Sequence, residues 1–167
     1  THLVVELASN DGYLLKNFVE HKIPVIGIDP APQPVAAANA AGVPTRCDFF
    51  TRELARELVA EGRRADIVIA NNVLAHVAET NGFVEGIATL LCDDGVASLE
   101  FPYVRDLVEK CEFDTIYHEH LCYFSLTALV RLFQRHGLFI NEVWRLPIHG
   151  GSLRIHVERN SKPSASV

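Results

Sequence analysis

"LFINEVWRLPIHGGSLRIHVER" fills residues 138–159 and holds two apolar, β-branched runs with no helical stretch between them. Residues 138–147 and 152–159 are separated only by the "IHGG" connection, so they read as an antiparallel hairpin. Everything upstream has a different rhythm, and the contrast decides the fold.

Four continuous apolar runs precede the hairpin: "HLVVELA" (2–8), "PVIGIDP" (24–30), "ADIVIANN" (65–72) and "GVASLEFP" (95–102). Unbroken apolarity of that length marks strands buried on both faces of a parallel sheet. "PTRCDFF" (44–50) is weaker and predicts a short edge strand. Helical patterns lie near 13–21, 33–41, 52–61, 81–92 and 126–136, the second closed by Gly42 and the last by Gly137. The alternation predicts an α/β fold with a Rossmann-like sheet: five parallel strands plus a terminal antiparallel hairpin, with helices on both faces. That strand plan resembles the class I methyltransferases. Residues 1–160 are expected to form the core, and the tail 161–167 a mobile linker. Because the first strand begins at residue 2, where such cores carry a preceding helix, the chain looks like part of a longer protein.

At 167 residues the chain is long enough for one sizeable core. A formal net charge of −6 argues against a nucleic-acid partner gripped by its phosphates. No apolar run is long enough to cross a bilayer. Cys47, Cys92, Cys111 and Cys122 form no CxxC pair, which predicts reduced thiols and a cytoplasmic location.

The loop "ELASNDGYLL" (6–15) joins the first strand to the first helix, where open α/β sheets bind ligands. Glu6 ends the strand, and Ala8, Ser9 and Asn10 can present backbone to a polar ligand ahead of a helix N-terminus. The same residues can equally form a plain turn, with Asn10 or Asp11 capping the helix. The Gly-x-Gly spacing of dinucleotide folds is absent, Ala8 standing where its first glycine would fall. Asp29 shifts the balance toward a ligand site, because a carboxylate ending the second strand is placed to accept from ribose hydroxyls. Asp48 and Phe49 end the third strand, suited to an adenine amino group and ring, while Phe50 reads as core. Asn71 and Asn72 end the fourth.

With "ANNVLAHV", "GVASLEFP", "FDTIYHEHLCYFS" and "HGGSLR", this loop resembles the S-adenosylmethionine-dependent C-methyltransferases of deoxysugar biosynthesis, over nearly the whole chain. The resemblance implies methylation of a ring carbon in a nucleotide-linked 4-keto sugar. It places Glu6, Asp29, Phe49 and Asn72 around the cofactor, and Tyr117, Glu119, His120 and His76 around the sugar, with His120 as base. Ala8 departs from the family's glycine at that position. Family members also carry an N-terminal zinc domain and a C-terminal domain that helps hold the nucleotide sugar, so flanking domains are expected here too.

"DTIYHEHLCYFS" (114–125) admits three readings: a metal site, an acid–base site or a solvated loop. Were residues 117–120 extended, His118 and His120 would share a face like an H-x-H metal pair. No third ligand stands nearby, so no metal is predicted. The aromatic content and a position after the fifth strand favour acid–base work. A carbon nucleophile needs a proton removed beside a ketone, and a histidine titrates in the right range to take it. Tyr117 or His76 can then donate to the enolate oxygen. His149, before Gly150 and Gly151, can reach a sugar or merely shape the hairpin loop. Trp144 reads as packing. The competing functions are an O- or N-methyltransferase of a small natural product, which needs no enolising base, and a cofactor-binding module without catalysis.

Overall fold

The computed structural model describes residues 2–160, leaving the tail 161–167 outside the described residues. Five strands run parallel: β1 (Val4–Leu7), β2 (Val25–Asp29), β3 (Thr45–Cys47), β4 (Ala65–Asn71) and β5 (Leu91–Pro102). β6 (Phe139–Leu146) and β7 (Ser152–Glu158) form the antiparallel hairpin, and β7 also pairs antiparallel with β5. The order β3-β2-β1-β4-β5-β7-β6 therefore slots the last strand between the fifth and sixth. Strand order reverses between β1 and β4, which opens a crevice at their carboxyl ends.

The helices are α1 (Leu15–Glu20), α2 (Pro32–Ala40), α3 (Arg52–Ala60), α4 (Thr80–Leu90), α5 (Val104–Glu109) and α6 (Leu126–Arg135). Val4, Val25 and Ile69 face Leu15 and Ala38 of α1 and α2 on one side of the sheet. Val5, Leu7, Val68 and Leu99 face Leu54, Phe83, Ile87 and Phe133 of α3, α4 and α6 on the other. Each fully buried Leu or Phe removes apolar surface worth about 1.5–3 kcal/mol. Side-chain caps fix three helix starts: Thr51 Oγ1 accepts from Leu54 N–H at 3.2 Å, Glu79 Oε2 from Gly82 N–H at 2.7 Å and Ser125 Oγ from Ala128 N–H at 3.3 Å.

Some expectations need correction. Neither Asn10 nor Asp11 caps α1; their side chains accept from Asp11 N–H (2.8 Å) and Tyr13 N–H (3.2 Å) within the preceding turn. α4 stops at Leu90 instead of 92 because Leu91 pairs with Ala65 and starts β5 early, across an irregularity that ends at Gly95. α5 was not expected at all. Trp144 packs at the surface, half-exposed, with its ring edge-on to His156 at 4.9 Å. Residues 117–120 are not extended: His120 N–H donates to Tyr117 O at 3.0 Å and closes a turn.

Candidate functional site

The crevice holds a cavity of about 610 Å³ bounded by the ends of β1, β2, β3 and β4. Leu7, Ile28, Val73, Val77 and Phe83 give it apolar walls, Asp48 and Glu79 add carboxylates, and Ala8 and the 71% exposed Phe49 also line it. Phe50 serves both purposes, lining the cavity and meeting the Phe83 ring edge-on at 5.4 Å. Asp29 stands behind the loop, buried, with Oδ2 accepting from Asn10 N–H at 3.0 Å and Oδ1 from Ala31 N–H at 2.8 Å. It thereby ties the 8–10 loop to the end of β2, and each oxygen retains a second lone pair.

Beneath that loop Glu6 is only 3% exposed, and its Oε2 has no hydrogen-bond partner. Burial pushes its carboxyl up to about 7 from an ordinary 4.5. A buried carboxylate without a donor is costly unless a cation or donor arrives. Ser9 Oγ, also buried, is likewise unpaired. Ala8 has φ +55 and Asn10 φ +54, the left-handed region that favours glycine. The backbone thus takes the glycine-type turn with alanine in place.

A second pocket of about 390 Å³ lies over the carboxyl ends of β4 and β5. Asn72, Tyr117, His120 and His149 line it, with Glu112 and Asp114 adding carboxylates. His76 lines both cavities. It ends a short 3-10 turn (Leu74–His76), whose Ala75 carbonyl accepts from Leu121 N–H at 2.9 Å and Cys122 N–H at 3.2 Å. Those bonds bring the 117–122 segment onto the turn, so the His76 and His120 rings stand 4.9 Å apart between centroids.

His120 has a defined tautomer. Its Nδ1 lies 2.8 Å from the Thr115 carbonyl, which can only accept, so the ring proton sits on Nδ1. In the neutral ring Nε2 then carries the lone pair and accepts from the Tyr117 O–H at 3.1 Å. A neutral imidazole held this way is a ready base whose basic nitrogen faces the pocket's tyrosine.

The predicted residues divide accordingly. Tyr117, His120, His76 and His149 are brought together, whereas Glu119 is not: it is exposed, its carboxylate 3.8 Å from His118 Nε2. His118 points outward, its side chain 90% exposed, because the turn at 117–120 rotates it away from His120. Ala8, Asp48 and Phe49 line the first cavity, with Glu6, Ser9, Asn10 and Asp29 in the layer behind or beside it. Asn72, expected near the cofactor, lines the second pocket instead; its φ is +55 and its N–H donates to Glu100 O at 2.7 Å. Asn71 ends β4 next to Glu100 and lines neither cavity. Sequence reading missed Val73, Val77 and Phe83 as cavity walls and Thr115 as the group orienting His120. Thr115 lies inside "DTIYHEH", two residues before Tyr117, but nothing in residue type reveals a carbonyl's role.

Among the described residues no group of three or more His, Cys, Asp or Glu side chains could hold a metal ion. No helix there is long and apolar enough to cross a membrane.

Comparison with known proteins adds a family. A family model described as a methyltransferase domain matches residues 3–143. The C-methyltransferase NovU of Streptomyces niveus is 38% identical over 151 residues, which is 90% of this chain and 36% of that protein. The chain therefore spans little more than a third of that relative. The ubiquinone biosynthesis O-methyltransferase of Rhodopseudomonas palustris is 28% identical over 56% of the chain and 37% of that protein. Among solved structures, the PH0226 protein from Pyrococcus horikoshii aligns with TM-score 0.74 at 15% identity, covering 95% of this chain and 82% of that one. Magnesium protoporphyrin IX methyltransferase from Synechocystis, solved with bound SAH, gives TM-score 0.69 at 17% identity, covering 95% and 74%. At such identities the structures establish a shared fold.

Proposed function

The chain belongs to the methyltransferase domain family, and from that premise we propose that it is an S-adenosylmethionine-dependent C-methyltransferase acting beside the ketone of a nucleotide-linked 4-keto deoxysugar. The observation that carries the reading is the Tyr117–His120–His76 cluster, with a tautomer-fixed His120 in one pocket and His76 shared with the next.

The first cavity suits the cofactor. Its apolar walls and Phe49 suit a purine, Asp48 offers an acceptor to the exocyclic amino group, and Asp29, which ties down the neighbouring loop, supports the ribose side. The unpaired Glu6 oxygen supports a cationic amino group nearby. S-adenosylmethionine, when bound, supplies an electrophilic methyl on a sulfonium. In the second pocket the Tyr117 O–H turns from His120 Nε2 to the ketone oxygen, and the freed Nε2 lone pair takes the proton from the carbon next to the ketone. Tyr117 Oη, or His76 in its place, donates to the oxygen as it gains charge. With His76 on the wall between the cavities, the two reactants are held side by side, and alignment supplies much of the rate. Glu119, which lines neither cavity, has no direct part. As part of the same proposal, an N-terminal zinc domain and a C-terminal domain flank this core in the full-length protein.

The test is methyl transfer by the full-length protein from carbon-13-methyl S-adenosylmethionine to a nucleotide-linked 4-keto deoxysugar, followed by NMR. Label attached to ring carbon is the expected result. Label attached to oxygen, or cofactor binding with no transfer to any such sugar, would overturn the reading.

A further inference from the structure

Asp106 is 1% exposed and belongs to none of the groups above. Its Oδ2 accepts from Arg145 Nε at 3.0 Å, and its Oδ1 accepts from Nη2 of the same guanidinium. Two bonds from one fork fix orientation as well as charge. Arg145 lies on β6, the strand that leads into the turn at 147–151.

That turn rests on the carboxylate. A Cβ built on Gly151 would fall 2.2 Å from Asp106 Oδ2, so a side chain there would displace the acid. Four residues beyond Asp106, Lys110 Nζ donates to the Gly150 carbonyl at 2.5 Å. Before α5, Tyr103 N–H donates to the Gly151 carbonyl at 2.9 Å. The helix and its flanks therefore grip the turn from both sides. Within it His149 has φ +49, a conformation that a non-glycine residue keeps only when its surroundings enforce it. The same helix leads directly into the wall that carries Glu112, Tyr117 and His120. One ion pair, its carboxylate buried and its guanidinium half-exposed, thus joins the two walls of the second pocket.

We propose that Asp106, gripped by Arg145, is a positioning residue that fixes His149 against the methyl acceptor. This rests on the reading that the second pocket receives the acceptor. Asp106 touches no reactant and acts through the 148–151 turn. Loss of its grip lets His149 leave the left-handed conformation and widens the gap to His120, while the cofactor cavity on the other side of His76 keeps its shape.

A double-mutant cycle in the full-length protein tests this: Asp106→Asn, His149→Ala and the pair, read by kcat and KM for the acceptor and by calorimetric cofactor affinity. Asp106→Asn should lower kcat/KM for the acceptor by roughly 10- to 100-fold, the effect of a small misplacement. Cofactor affinity should stay within about twofold, and the double variant should be no worse than His149→Ala alone. Additive losses would overturn the proposal. Should Asp106→Asn fail to fold, Arg145→Lys keeps the charge but loses the fork, and carries the same expectations. A second readout is independent of turnover: His149 imidazole resonances and amide exchange at 148–151 should change in the variant, while residues 8–12 stay as in the parent. If those changes occur but the parent protein methylates no keto sugar, the positioning role stands and the acceptor reading fails. Unchanged His149 signals and exchange would overturn the positioning role whatever the activity.

Discussion

Glu6→Gln isolates the cost of one buried carboxyl in the protein without cofactor. In the folded state burial holds this group at about 7, against an ordinary 4.5. The folded state therefore binds a proton more tightly than the unfolded chain, and its stability falls as pH rises from 4.5 through about 7. Those two values give a penalty of about 3 kcal/mol at pH 8 and under about 1 kcal/mol at pH 5. Glutamine keeps the size and cannot ionise, so all other titrations cancel in the comparison. The stability of Glu6→Gln relative to the parent should rise by about 2.5 kcal/mol between pH 5 and pH 8. For a domain of this size that is a Tm difference growing by roughly 5–10 °C. Paired thermal and urea unfolding across that range, without cofactor, reads it directly. A difference that stays constant between pH 5 and pH 8 would refute the reasoning. The same variant should bind S-adenosylmethionine more weakly, because the group a cationic amine would meet has lost its charge.

Ala8→Gly should stabilise the chain by about 1 kcal/mol, since alanine occupies a left-handed conformation there; lower stability in urea unfolding would mean the loop geometry is wrong. Asp29→Ala should weaken cofactor binding at least about tenfold, from lost charged hydrogen bonds and a loosened 8–10 loop. Calorimetry checks it, and unchanged affinity would remove Asp29 from the site. Dialysis of this chain against a strong chelator should leave cofactor affinity unchanged; a stoichiometric metal lost on changing His118 or His120 would overturn the acid–base reading.

The parallel strands and five helices were legible because each is a local apolar pattern, and the hairpin because nothing helical intervenes. That β7 inserts beside β5 follows from pairing across many residues, which no window of sequence displays. α5 escaped notice for a physical reason. Six residues directly after a strand, with no side-chain cap, give too little periodicity to read. Its consequences reach the site, because it carries Asp106 and Lys110 to the hairpin turn. The β1–α1 loop was legible as a candidate ligand site from its place in the order of elements. The strained conformations of Ala8 and Asn10, and the unpaired oxygen of Glu6, depend on packing against β2 and were not. In "YHEH" the residue types suggested proton chemistry, but the partners needed coordinates. A turn at 117–120 sends His118 and Glu119 outward and leaves His120 beside Tyr117. His76 joins this cluster only because the Ala75 carbonyl receives the 121–122 backbone.

The most direct test of the proposed chemistry is proton removal uncoupled from methyl transfer. With S-adenosylhomocysteine bound to the full-length protein, a 4-keto sugar in deuterated solvent should take up deuterium beside its ketone, because exchange needs the base but no methyl group. His120→Asn should bind cofactor as the parent does, while exchange and turnover fall together by about 10²–10⁴, the usual worth of a positioned base. Tyr117→Phe should lower both less. Deuterium uptake at the parent rate in His120→Asn, with methylation lost, would contradict the account and reduce His120 to an alignment residue.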